Sequence, residues 1–224
     1  MRRRRRQPRR QPPAVARTGD ARIQALPQLL RLPRRSPLYP ELTRALAAAG
    51  ALNVLHSDLE PVPVRATSTT SQSGCYRLRQ GDPVDLRVSR RHDRVALSFL
   101  HELAHFVDHQ LGHELGAGWA SGHHEAFADW REAASRLPSR LPAAVGRSRR
   151  RYFTSSKEVW ARSYAQTVLT RSNDPWLQGA LGDLIDSDDI FVWPAAEFEP
   201  VAEKVVLTFE RLGLLRRHPL VAAA

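Results

Sequence analysis

Apolar positions are sparse in the first 36 residues and fall into clear periods after them. Residues 1–36 are rich in Arg, Pro and Gln, and read as a disordered tail. "SPLYPELTRALAAAG" predicts a first helix, with Ser36 able to cap, Pro37 suited to the first turn and Gly50 to the stop. Residues 51–56 and 62–69 are short strand candidates. "CYRLRQGDPVDLRVS" predicts a hairpin about Gly81-Asp82-Pro83, with Val84, Leu86 and Val88 on one face of its second arm and Asp85, Arg87 and Ser89 on the other. At Asp93, a candidate N-cap, the period lengthens. Ala96, Phe99, Leu100, Leu103 and Val107 lie at helical spacing and predict a helix to about Leu111, with Gly112 near its end. "HHEAFADWREAASRL" and "SSKEVWARSYAQTVL" predict further helices, separated by a basic, proline-containing loop over 138–153. A last helix spans about 195–215, with Pro200 in its first turn or breaking it. A few strands followed mainly by helices indicate an α+β fold, with one domain over 37–218.

Charge is unevenly distributed. Residues 1–40 hold 12 Arg and one Asp, whereas acids and bases balance in the rest of the chain. Clustered arginine gains affinity for nucleic acid by displacing counterions from phosphates, so the tail is a candidate nucleic-acid contact; a solvated leader fits the same composition. No apolar segment follows the N-terminal charges, and no later run reaches the roughly 18 apolar residues of a membrane span. The single cysteine, Cys75, excludes an internal disulfide framework. These features point to a cytoplasmic protein without membrane attachment.

"FLHELAHFVDHQLGHELG" places histidines at 101, 105, 109 and 113. A helix turns about 100° and rises about 1.5 Å per residue, so His101 and His105 are offset by about 40° and about 6 Å. Both rings can reach one ion at about 2.1 Å, whereas His101 and His109 are about 12 Å apart along the axis and cannot share one. Glu102 selects the pair: it lies beside the stripe shared by His101 and His105, within reach of a water on the metal without being a ligand. His101-Glu102-Leu103-Ala104-His105 is therefore an HExxH zinc motif on a helix, with Glu102 as general base. His109 and His113 read as packing or solvent-facing residues.

A catalytic zinc takes a third protein ligand. A metzincin would place a histidine at 111, where Leu111 stands, and that class is excluded. Glu158 is the leading candidate, 53 residues after His105, with His124 and Asp129 as rivals. Ser155-Ser156-Lys157-Glu158 also has the form of a capping box, in which the glutamate would bond the cap's own N–H instead.

Two motifs resemble those of the zinc metallopeptidase domains of phage and mobile-element polyvalent proteins. "HELAHFVD" is similar to their "HELGHALD" pattern at His101, Glu102, Leu103, His105 and Asp108, and "EVWARSYAQTV" to their "ELFARAFEAYV"-like helix at Glu158, Val159, Trp160, Ala161, Arg162, Tyr164 and Val168. The segment from Trp193 is loosely similar to their closing helix, so the resemblance covers about 70–210. It implies a zincin-like fold, a small N-terminal sheet on a mainly helical body, and the gluzincin plan, in which Glu158 completes a Zn2+ site with His101 and His105. Ala165 and Thr167 depart from the family's usual acid and tyrosine.

The implied activity is hydrolysis of a protein or peptide substrate. The alternative from another class is a nucleic-acid-associated binding protein with a structural or vestigial zinc site; a third reading is an HExxH regulatory protease of the phage-immunity type that cuts a repressor. Asp108 is placed to orient a ligand imidazole and Arg162 to hold the Glu158 carboxylate. Tyr152, Tyr164 and His123 are candidate oxyanion donors. The Asp85, Arg87 and Ser89 face could border an edge strand that accepts an extended peptide. Cys75 reads as buried and inert.

Overall fold

The computed structural model describes residues 22–216. Along the chain lie β1 (Arg22–Ala25), α1 (Leu26–Leu29), β2 (Leu30–Arg31), α2 (Tyr39–Leu52), β3 (Val54–Ser57), β4 (Val62–Thr67), β5 (Gly74–Arg79) and β6 (Asp82–Ser89). Helices follow: α3 (Val95–Glu114), α4 (Ala120–His123), a 3-10 turn at Glu125–Phe127, α5 (Ala128–Ser135), α6 (Arg147–Phe153), α7 (Ser156–Arg171), α8 (Pro175–Asp186) and α9 (Ala195–Arg211). The fold is mixed α+β, with small sheets preceding a helical body.

Regular structure is present within the segment that composition predicts to be a tail. β1 pairs antiparallel with β3, β2 pairs with β4, and Leu26, Leu29 and Leu30 are buried. These leucines supply apolar area that the surrounding Arg and Pro conceal when the segment is averaged. The expected tail is thus corrected for residues 22–36; its earlier part, like residues 217 and 218, lies outside the described residues.

The larger sheet has the order β2-β4-β6-β5, with β6 parallel to β4 and antiparallel to β5. The hairpin turns on Gln80 and Gly81, both at positive φ (55° and 93°), the signature of a tight two-residue turn. Leu86 and Val88 are buried on the core face, as the alternation requires. Asp85 is buried on the opposite face beneath arginines: Arg77 meets it at 2.6 Å and 2.7 Å, Arg65 at 3.1 Å and Arg87 at 3.4 Å. β6 lies inside the sheet, so Asp85, Arg87 and Ser89 are not on an edge strand; the outer strands are β2 and β5.

α3 is buried on nearly every side and packs against α2, α7, β5 and β6. Asp93 does not cap it. Glu41 of α2 does, its Oε1 accepting the Ala96 N–H at 2.7 Å, so the two helices are fixed at one end. Gly112 lies in the last turn of α3, near its end as expected, and is the point where the following loop crosses. A Cβ there would lie 2.2 Å from the Gly118 carbonyl oxygen, and the Ala117 N–H bonds the Gly112 carbonyl at 2.7 Å. This fold-back delivers Trp119 to the flank of α3, its ring 5.9 Å from that of His105.

Three helical details depart from expectation. "RSRRRYF" forms α6 rather than loop, anchored by buried Phe153. α8 was not anticipated, although the Asp174 side chain caps it at the Trp176 and Leu177 N–H groups and Pro175 opens it. α9 continues through Pro200, which lies beyond its first turn and does not break it.

Gly112→Ala should cost about 1–3 kcal/mol through the clash with the crossing loop. Gly122→Ala, where nothing stands within 4 Å of the new methyl, should be near neutral. Urea denaturation of the two variants checks this contrast.

Candidate metal centre

His101 and His105 sit one turn apart on α3, and α7 packs alongside with Glu158 in its first turn. The two Nε2 atoms are 3.1 Å apart; Glu158 Oε2 is 3.3 Å from His101 Nε2, and Oε1 is 3.4 Å from His105 Nε2. Four ligands at about 2.1 Å from a tetrahedral zinc are separated by about 3.4 Å, so these contacts match the edges of such a shell. Among the described residues this is the one group of three or more His, Cys, Asp or Glu whose ligating atoms converge in this way. The site is largely sequestered, with His105 and Glu158 buried and His101 partly so.

The capping box does not form. The Ser155 side chain makes no cap bond and donates instead to the Tyr152 carbonyl at 2.7 Å, leaving the Glu158 carboxylate to face the imidazoles. The rivals for the third position are engaged elsewhere. His124 Nδ1 accepts the Ala126 N–H at 3.2 Å, and Asp129 pairs with Arg211 at 2.7 Å on α9.

The three groups shift one another's protonation. Burial opposes ionisation of Glu158, yet hydrogen bonds from His101 and His105 hold its carboxyl far below the usual range. Burial likewise disfavours a charged His105, but the Glu158 and Glu102 carboxylates prevail and raise its pKa. Two imidazoles and a carboxylate at these separations need either a shared proton or a metal.

Glu102 lies beside the triad and outside it. Its Oε2 accepts the Tyr76 N–H of β5 at 2.6 Å. A Cβ at Gly74 would stand 2.6 Å from Glu102 Cγ and 2.7 Å from Oε1, so glycine alone lets the strand come this close. Burial raises the Glu102 pKa, with His101, His105 and the Tyr76 amide pulling the other way. A glycine within a strand is a sequence signal for close backbone approach; what approaches it emerges only in three dimensions.

Several supporting roles are corrected. Asp108 does not reach a ligand imidazole: it accepts the Ser121 N–H at 2.7 Å and the Ser121 hydroxyl at 2.6 Å, tying α3 to α4, and burial raises its pKa to about 6. His105 Nδ1 is left buried without a partner. Arg162 does not hold the Glu158 carboxylate. It donates to the Phe153 carbonyl at 2.7 Å and the Glu158 carbonyl at 3.3 Å, with its guanidinium 3.8 Å from the Phe153 ring centre. Tyr164 is buried and bonds Asn53 at 2.8 Å, and His123 is exposed away from the cleft lining. Tyr152 does line a cleft of about 260 Å³ beside Glu102, His105 and Glu158, together with Trp119, Lys157 and Cys75. Cys75 is therefore half-buried at this cleft, with burial the chief cause of its raised pKa.

His109 packs without entering the site. Its Nδ1 lies 3.0 Å from the Tyr76 hydroxyl and 3.1 Å from the Gln110 amide, and burial, with His113 adding repulsion, lowers its pKa to about 4. No helix among the described residues is long and apolar enough to cross a membrane. No family model, curated protein or solved structure matches this chain.

His105→Ala and Glu158→Ala should abolish stoichiometric zinc uptake, whereas His124→Ala and Asp129→Ala should retain it; elemental analysis after dialysis reads the difference. His109 supplies a pH signature. A depressed histidine pKa contributes stability that is full above about 6.5 and is lost as pH falls through about 4. His109→Gln should remove on the order of 2–3 kcal/mol of that acid sensitivity, seen as a flatter urea midpoint between pH 7 and pH 4.

Proposed function

We propose that this protein is a zinc-dependent peptidase of gluzincin type on a zincin-like fold. The observation that carries the reading is the division of labour among four side chains. His101, His105 and Glu158 converge at the edges of a tetrahedron, and Glu102 stands next to them bonded to a strand. A zinc ion held by the triad would lower the pKa of a bound water toward about 7 and polarise the carbonyl to be attacked.

The chain's own residues supply the rest. Glu102 takes a proton from the attacking water and returns it to the leaving amine. The Tyr76 amide holds one of its oxygens in place for that exchange, and burial gives it a higher pKa than a free glutamate, which suits a group that must accept and then release a proton. The Tyr152 hydroxyl is protonated at neutral pH, as a tyrosine ordinarily is, and the neighbouring Glu158 and Glu102 carboxylates favour that form. It can therefore donate a hydrogen bond as negative charge develops on the carbonyl oxygen.

Glu102→Gln should keep zinc and lower kcat/KM for peptide cleavage by about 10²–10⁴. Tyr152→Phe should keep zinc and lower kcat by about tenfold or more. Cleavage that survives Glu102→Gln undiminished contradicts the assignment of the base.

A further inference from the structure

One side chain of the cleft has no part in the hydrolytic step. Lys157 directly precedes Glu158 in the first turn of α7 and lines the cleft with Tyr152 and Trp119. Its Nζ lies 5.3 Å from the centre of the Trp119 ring, an indole face that steadies the ammonium. The nearest acid in sequence, Glu158, is engaged with His101 and His105, and no Lys157 ion pair forms among the described residues. It is also the one Lys or Arg among the described residues that line the cleft.

Stability does not explain this placement. A cation in the first turn faces the positive end of the helix macrodipole, where acids are favoured. The Glu102 and Glu158 carboxylates also line the cleft, but neither forms an ion pair with it. A negative group arriving with the substrate would relieve the unfavourable end of the dipole. The ammonium lines the same cleft as Glu102 and Glu158 without an ion pair of its own, which is the disposition expected of a group that reads charge on a ligand.

We propose that Lys157 sets the specificity of this site: its ammonium binds a substrate carboxylate, so that the bonds cleaved are those next to an acidic group. The inference rests on the hydrolytic reading above. The carboxylate is either an Asp or Glu side chain or the C-terminus of the peptide. Both offer the same charge-assisted hydrogen bond, and each predicts a different cleavage pattern.

The test uses the full-length, zinc-loaded protein and a proteome-derived peptide library, with cleavage sites read by mass spectrometry. A side-chain contact predicts sites enriched in Asp and Glu at one fixed position; a C-terminal contact predicts cuts confined to the end of each peptide. Matched synthetic peptides then separate the two. Replacing the acid by Asn or Gln, or the free C-terminus by an amide, should lower kcat/KM about tenfold in the relevant case, as expected for loss of one charged hydrogen bond. Lys157→Arg should keep the acidic preference. Lys157→Glu should reverse it toward Lys and Arg with zinc content unchanged, a switch that a merely structural lysine would not produce. Equal cleavage of acid and amide partners, or an unaltered profile in Lys157→Glu, overturns the inference and leaves the hydrolytic reading standing. A wild type that loads zinc yet cuts no peptide overturns both.

Discussion

Two imidazole nitrogens and a carboxylate face one another at 3.1–3.4 Å in a largely buried site, and the architecture around them enforces that approach. Without a shared proton or a metal these groups would present converging lone pairs in a medium of low dielectric, an arrangement that is costly to maintain. α3 is therefore gripped from several directions. Glu41 fixes its first turn, Asp108 anchors its later part to Ser121, and the loop crossing at Gly112 presses on its last turn. α7 lies alongside and brings Glu158 to the histidines. Its own first turn forgoes a side-chain cap, so the glutamate is available to the site rather than to the helix.

The sheet has a second task, which is to place a carboxylate close to this cluster without letting it join. β5 does so by contact with Glu102: the Tyr76 amide takes one oxygen, and the bare backbone of Gly74 makes room for the side chain. The position of β5 depends in turn on β6. The hairpin is held on its outer face by the ion cluster in which Arg77 and Arg87 of the two strands, with Arg65 of β4, converge on buried Asp85. A charge cluster with no chemistry of its own thus supports the strand that orients the proposed base.

Much of this was legible in the sequence wherever the cause is local. The change of period at residue 93 marks α3, and the four-residue spacing of His101 and His105 defines a shared face. The third donor was legible only as a choice among Glu158, His124 and Asp129, because it depends on how α7 docks on α3 rather than on any spacing within a helix. Spacing also named Asp108 and Arg162 as helpers of the site. Their hydrogen-bond partners are instead Ser121 for Asp108 and the Phe153 and Glu158 carbonyls for Arg162. Segment averages hid β1, α1 and α6, whose few apolar anchors sit among arginines. Gly74, Trp119 and Lys157 acquire meaning only from their neighbours in the cleft.

X-ray absorption at the zinc edge of the metal-loaded protein tests the central claim most directly, because it counts and identifies the ligands. The account predicts a four-coordinate shell of light atoms at about 2.0–2.1 Å, with multiple-scattering features of two imidazoles and no sulfur. A sulfur scatterer at about 2.3 Å, which would place Cys75 on the ion, or a shell lacking the two imidazoles, would contradict it.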